Sequence, residues 1–274
     1  MLCDILIHVD GSDAGRRQVG VAVDLARRTG ARLSGLHVIP PPDVPPRYKP
    51  SLIDRVAEDI SAGLSSRARA AAAAFREEAI AQLPETSWSE ASGNIAEGIS
   101  AHARYADLVI VGQSEWQGPP EAHPLPVAHS VVQHCGRPVL VVPALAPPCL
   151  FARAAVAWDG SREAVRAVHD ALPLLQLART VRILSIVAAA AEPDEADIEN
   201  LFAHLRRHGI RAEGEIFRVT SVAEHKALQD QVEHGHYDLL VMGGYSDPLW
   251  LELVFGGATR SMLLASAIPI LVSH

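Results

Sequence analysis

The sequence predicts an α/β protein made of two doubly wound parallel five-stranded sheets, one in each half of the chain. Three observations carry this. Short apolar runs alternate with amphipathic helical stretches from end to end, and that alternation gives a parallel sheet covered on both faces. The pattern is written twice: Asp10-Gly11-Ser12 returns as Asp159-Gly160-Ser161, Asp107–Gly112 as Asp238–Gly243, and Pro138–Val141 as Pro269–Val272. Finally, hydrophobic residues make up 49% of the 274 positions but aromatics only 5%. The apolar load therefore falls on small aliphatic residues that let helices pack flat on a sheet.

In the first half, Ile5–Val9 reads as strand one and ends at Asp-Gly-Ser, where Ser12 caps a helix. Val19, Ala22, Val23 and Ala26 fall at i, i+3, i+4 and i+7, one helix face, and Gly30 closes it. Leu33–Val38 is strand two, a long helix spans about 53–81, and Ser87–Glu90 is strand three. Helix three covers about Ile95–Tyr105, strand four is Leu108–Val111, and a loop and short helix lead to strand five at Val139–Val142.

The second half repeats the order. Ala154–Trp158 is strand one, with Val165, Val168, Leu172 and Leu175 lining the first helix. Val181–Ile186, a helix over 194–208, Glu213–Phe217, a helix over 222–233, Leu239–Met242 and Ile270–Val272 follow. The expected domains are 1–143 and 153–274, with a Pro-rich linker at 144–152. Asp107 and Asp238 stand 131 residues apart, as do Pro138 and Pro269, whereas Asp10 and Asp159 stand 149 apart. The first half thus carries 18 extra residues between strands one and four, assigned to Pro40–Pro50 and the long helix.

A formal net charge of −8 argues against a phosphate-backbone binder, so nucleic acid is excluded as a partner. A small anionic ligand stays open, because a helix N-terminus can hold phosphate without side-chain charge. Cys3, Cys135 and Cys149 form neither a disulfide framework nor a CxxC pair. The N-terminus shows no basic leader before an apolar stretch, and no run approaches a membrane span; the expected location is the cytoplasm.

Ligands of doubly wound sheets bind beyond the carboxyl ends of the strands, where the strand order reverses. Asp10, Asp159 and the loops after strand four belong there. In the second half that loop reads Met242-Gly243-Gly244-Tyr245-Ser246 and, nine residues on, Gly256-Gly257-Ala258-Thr259. Glycines at a strand-to-helix turn let backbone N–H groups close on a phosphate, and the following helix adds its positive end.

These residues resemble the universal stress protein family, whose motif is Gly, two residues, Gly, nine residues, Gly, then Ser or Thr after strand four, with an Asp ending strand one. The resemblance runs over both halves. It implies Rossmann-like units of the adenine nucleotide alpha hydrolase type, paired through strand five as an intramolecular pseudo-dimer. It also implies ATP, with Mg²⁺, held in the second domain by Asp159, Ile186, Met242 and Gly243. Ser246, Gly256, Gly257 and Thr259 complete the implied set. Ser246 departs from the motif's second glycine, and Gly257 stands where Ser or Thr is usual. In the first half only Gly112 survives: Ser246, Gly256, Gly257 and Thr259 map to Glu115, Leu125, Pro126 and Ala128. Pro126 lacks an N–H and Glu115 brings negative charge, so no nucleotide is expected there.

Asp10 and Asp159 have a second reading as Asp-Gly turns entering helices, and the glycines one as plain turn residues. His123, His129, His134 and Cys135 lack standard ligand spacing. His204 and His208, four apart, share a helix face and half a metal site, but Arg206 and Arg207 between them suggest a solvated helix end. No metal site and no catalytic constellation is assigned. The function expected is a non-catalytic stress-response sensor of adenine nucleotide, with hydrolysis at most slow. A nucleotide-free interaction protein, or a binder of another small molecule in the first-half crevice, stands as the alternative. A second copy of the chain and a protein partner are the remaining partner expectations.

Overall fold

The computed structural model describes residues 1–43, 50–113, 127–145, 151–188, 195–219, 228, 230–232, 234–244 and 258–274. The chain divides into two compact units, Leu2–Gly112 and Gln113–His274, with Met1 grouped with the second.

The first unit runs β1 (Asp4–His8), α1 (Asp13–Thr29), β2 (Arg32–Ile39), α2 (Pro50–Phe75), β3 (Thr86–Ser92), α3 (Ile95–His102) and β4 (Leu108–Gly112). Its strands are parallel in the order β3-β2-β1-β4. Ser12 caps α1 by accepting from the Gly15 N–H at 3.0 Å, and Gly30 closes it in the left-handed region at φ 72°. Val19, Ala22, Val23 and Ala26 are all buried, as the helical spacing requires. Each fully buried aliphatic side chain of Val or Leu size contributes roughly 1.5–3 kcal/mol. The Asp107 carboxylate, just before β4, accepts from the N–H groups of Cys3 and Asp4 at 2.6 and 3.0 Å and ties β4 to the start of β1.

One expectation is corrected here. The helix expected over 53–81 is α2 followed by a π turn at Arg76–Ile80. The extra residue in that turn keeps Ala79 in the core while Glu77 and Glu78 reach Arg16 at 2.8 and 3.7 Å. A 3.6-residue periodicity does not reveal such a turn. At 26 residues α2 is twice its 13-residue counterpart, which accounts for most of the first half's extra length.

The second unit runs α4 (Val127–His134), β5 (Val139–Val142), β6 (Arg153–Trp158), α5 (Arg162–Leu175), β7 (Thr180–Ala188), α6 (Glu195–Arg207), β8 (Ala212–Val219), β9 (Leu239–Gly243), α7 (Ala258–Ala265) and β10 (Ile270–Ser273). Five strands are parallel in the order β10-β9-β6-β7-β8. On the outer edge of β10, β5 pairs antiparallel, with Ile270 opposite Val141 and Val272 opposite Val139. The fifth strands of the two repeats therefore pair with each other. The helix expected over 222–233 lies mostly outside the described residues.

A second correction concerns α5. Val165 is 41% exposed; the buried face is Ala164, Ala167, Val168, Ala171, Leu174 and Leu175. Small alanines, not the branched residue, let this helix lie close to the sheet. Asp238 repeats the clamp of Asp107, accepting from the Ala152 and Arg153 N–H groups, each at 2.8 Å.

Candidate functional site

The strand order reverses between β6 and β9 in the second unit and between β1 and β4 in the first. The carboxyl ends of those strands form the crevice where doubly wound sheets bind ligands. Asp159 follows β6, and Gly243 ends β9, so the reversal brings two of the motif residues to one place.

Asp159 is exposed, and its Oδ1 accepts from the Ser161 N–H at 3.0 Å and the Ser161 hydroxyl at 2.6 Å. Ser161 in turn caps α5 by accepting from the Ala164 N–H at 3.2 Å. Gly160 makes the turn at φ 72°, a conformation that side chains resist. The Asp-Gly-Ser turn is therefore self-satisfied, which supports its structural reading, and it also presents a carboxylate at the crevice mouth.

Gly243 has a packing reason. A Cβ there would stand 2.6 Å from the Ala164 nitrogen and 2.7 Å from the Glu163 carbonyl carbon. The end of β9 thus passes directly over the first turn of α5. Beneath it lies Glu163, 3% exposed and paired with Arg162. Met242 is buried next to Gly243. α7 begins at Ala258, directly after Gly256-Gly257, with Thr259 as its second residue and half-buried. Its first-turn N–H groups have no helical acceptors, and the helix dipole adds partial positive charge there. Ser246, Gly256 and Gly257 lie outside the described residues; Ile186 pairs with Phe217 in the β7–β8 ladder.

Sequence reasoning missed two residues that matter here. Asp197, from α6, accepts from the Trp158 indole N–H at 2.7 Å, and a Cβ on Gly160 would stand 3.4 Å from the same oxygen. A second carboxylate therefore overlooks the crevice. Glu163 is the other. Neither carries a motif signal, because both are placed by which helices flank which strands.

In the first unit, Asp10 repeats the turn: its Oδ1 accepts from the Ser12 N–H at 2.9 Å and the Ser12 hydroxyl at 2.7 Å. There the strand ends carry histidines instead. His37 Nδ1 donates to the Val9 carbonyl at 2.7 Å, and its ring stacks on His8 at a centroid distance of 6.2 Å. His8 is buried, and its Nε2 has no hydrogen-bond partner among the described residues. Burial, reinforced by His37 and opposed by Asp10, lowers its pKa to about 4. A cavity of about 250 Å³ lined by Val232, His236, Tyr237, Met262, Ser266 and Ile268 lies elsewhere, at the opposite ends of β9 and β10. Of the remaining flagged residues, His134 is bonded to the Ser130 carbonyl and Cys135 to that of Arg137. Cys3 is an exposed free thiol.

The model of the universal stress protein family matches residues 1–143, more than half of the chain. The chain belongs to the universal stress protein family. Solved structures agree on the fold over almost its whole length. A universal stress protein from Archaeoglobus fulgidus DSM 4304 aligns with a TM-score of 0.71 at 18% identity, covering 98% of this chain and 95% of that one. A protein from Pseudomonas aeruginosa UCBPP-PA14 assigned to the universal stress proteins aligns with a TM-score of 0.58 at 14% identity, covering 99% and 93%. A functionally unknown protein from Pseudomonas aeruginosa PAO1 gives 0.58 at 14% identity, covering 99% and 92%. A comparison with curated proteins finds no match. Among the described residues no helix of this universal stress protein is long and apolar enough to cross a membrane.

Proposed function

We propose that this universal stress protein is a tandem, cytoplasmic, non-catalytic sensor that binds ATP or a related adenine nucleotide in its second domain. The observation that carries the reading is the start of α7 at Ala258. It sets first-turn backbone N–H groups that no carbonyl of the helix accepts, with that of Thr259 among them, directly after Gly256-Gly257, in a unit whose β9 ends on Gly243 at the strand-order reversal. This arrangement suits a phosphate chain, which needs backbone donors and a positive helix end more than side-chain charge. Mg²⁺ would arrive on the phosphate oxygens, since it keeps most of its ligands as water and substrate. Among the described residues no base for an attacking water stands together with a cationic partner for the leaving group, which supports hydrolysis that is at most slow.

Titration calorimetry with ATP and Mg²⁺ tests this, beside a Gly256→Leu variant. The expected result is saturable binding near one site per chain, lost in the variant. Absence of binding at millimolar ATP overturns the reading and leaves a nucleotide-free interaction protein. Restoring the motif with Ser246→Gly is expected to raise affinity.

One observation favours a second reading beside the first. The His8 Nε2, buried at the carboxyl end of β1 and without a partner among the described residues, suits a small hydrogen-bonding molecule other than a nucleotide in the first crevice. ATP binding that survives Gly256→Leu but is lost in His8→Gln would overturn both readings, since it would put a nucleotide in the first crevice.

A further inference from the structure

We infer that Glu163 is the ribose-reading residue of the second crevice: its buried carboxylate accepts from a sugar hydroxyl and so selects ribonucleotides over their deoxy forms. This rests on the nucleotide reading above and adds which part of the molecule meets a charge. Glu163 is 3% exposed, yet the bond that Arg162 Nε donates to Oε1 is the only hydrogen bond of its carboxylate among the described residues. An ionised carboxylate offers about four acceptor positions, and burying it with most of them unused is costly until a further donor arrives. Arg162 does not shut the site, because its own side chain is 89% exposed. Glu163 is the second residue of α5, whose first turn adds positive partial charge beside it.

Position and chemistry single out the ribose. The strand order β10-β9-β6-β7-β8 sets the end of β9 between Asp159, which follows β6, and α7, which leads into β10. With phosphates at the first turn of α7, the base falls toward β6 and the sugar at the end of β9. There Gly243 has no side chain, and a Cβ on it would lie 2.9 Å from Glu163 Cβ. The Glu163 side chain therefore leaves α5 directly under the end of β9. A carboxylate repels phosphate but accepts from sugar hydroxyls; the adenine amino group, also a donor, lies at the far end of the molecule from the phosphates. The first half lacks this feature. Under the 149-residue offset of the Asp-Gly-Ser turns, Ala14 stands in the place of Glu163. Gly112 is met by the Gln18 side-chain amide rather than by a carboxylate.

The test is titration calorimetry of the full-length protein with ATP, 2′-deoxy-ATP and 3′-deoxy-ATP, each with Mg²⁺. The wild type is expected to bind ATP ~10-fold or more tightly than at least one deoxy form, since the missing hydroxyl leaves a buried charge underpaired. In Glu163→Met, which keeps the side-chain length without the carboxylate, the three affinities should converge to within ~3-fold. Glu163→Gln should retain part of the preference, because its amide oxygen still accepts. Glu199→Gln, at an exposed acid on α6, should leave the preference unchanged. A purely structural Glu163 would move all three affinities together, and circular dichroism shows that each variant is folded. Equal affinities in the wild type, or an unchanged preference in folded Glu163→Met, overturn the inference and leave the nucleotide reading standing. Absence of ATP binding in the wild type overturns both.

Discussion

The two halves of this chain share a scaffold and differ in what they place on it. Under one offset of 131 residues, β4, α4 and β5 coincide in both boundaries with β9, α7 and β10. The serine-capped turns of Asp10 and Asp159 are likewise duplicated, as are the aspartate clamps, except that one Asp107 oxygen takes both N–H groups where Asp238 divides them between its two oxygens. Yet the residues before the short helix are Gly256-Gly257 in one half and Leu125-Pro126 in the other. At the end of the first strand one half carries the His8–His37 stack, while the other carries Trp158 bonded to Asp197. Backbone architecture is thus held by turn, cap and clamp residues. The strand-end side chains differ between the halves without disturbing it.

The largest expected difference is an acid sensitivity centred on the first half, at His8. His8 is held neutral in the folded chain, with its pKa lowered from 6.5 to about 4. The unfolded chain therefore takes up a proton that the folded chain refuses between those values. The stability this contributes is complete above pH 6.5, falls as pH drops toward 4 and is flat below. A shift of that size corresponds to about 3 kcal/mol. Urea midpoints measured from pH 7.5 to 4 should fall more steeply for the wild type than for His8→Gln. Parallel curves would show that His8 titrates normally.

Next come the clamps. Removing a charged acceptor from two backbone N–H groups costs about 2 kcal/mol. Asp107→Ala and Asp238→Ala should therefore lower the denaturation midpoint by similar amounts; a marked inequality breaks the claim that the halves are held alike. A smaller asymmetry is expected at the strand-four glycines. A methyl at position 243 meets the α5 backbone at 2.6 Å, whereas one at 112 meets the Gln18 side-chain amide at 2.7 Å, which can move. Gly243→Ala should cost about 1–2 kcal/mol, within the usual range for overpacking, and Gly112→Ala less.

Much of this was legible in the sequence because repeats, caps and alternation are local. Ser12, Gly30, the paired Asp-Gly-Ser turns and the succession of strands and helices needed only spacing and turn chemistry. Other features depend on which elements become neighbours. The partnering of His8 by His37 follows from β1 lying beside β2, and Asp197 reaches Trp158 only because α6 crosses the end of β6. His169 packs on His204 across two helices for the same reason. Val165 shows a local misreading: hydrophobic spacing admitted the valine to the helix face, but close packing on the sheet selected the alanines around it.

The smallest expected effect sharpens the comparison most. Ser12→Ala and Ser161→Ala each remove a helix cap worth about 1 kcal/mol, so their stability costs should be nearly equal. Each also takes one donor from the neighbouring aspartate, Asp10 or Asp159. If both aspartates serve only their turns, equal destabilisation is the whole outcome. If Asp159 meets a ligand, releasing it from the Ser161 hydroxyl changes its orientation. ATP affinity should then shift in Ser161→Ala and stay constant in Ser12→Ala. Calorimetry on the two variants, at a temperature where both remain folded, therefore separates a duplicated turn from a turn that one half has put to use.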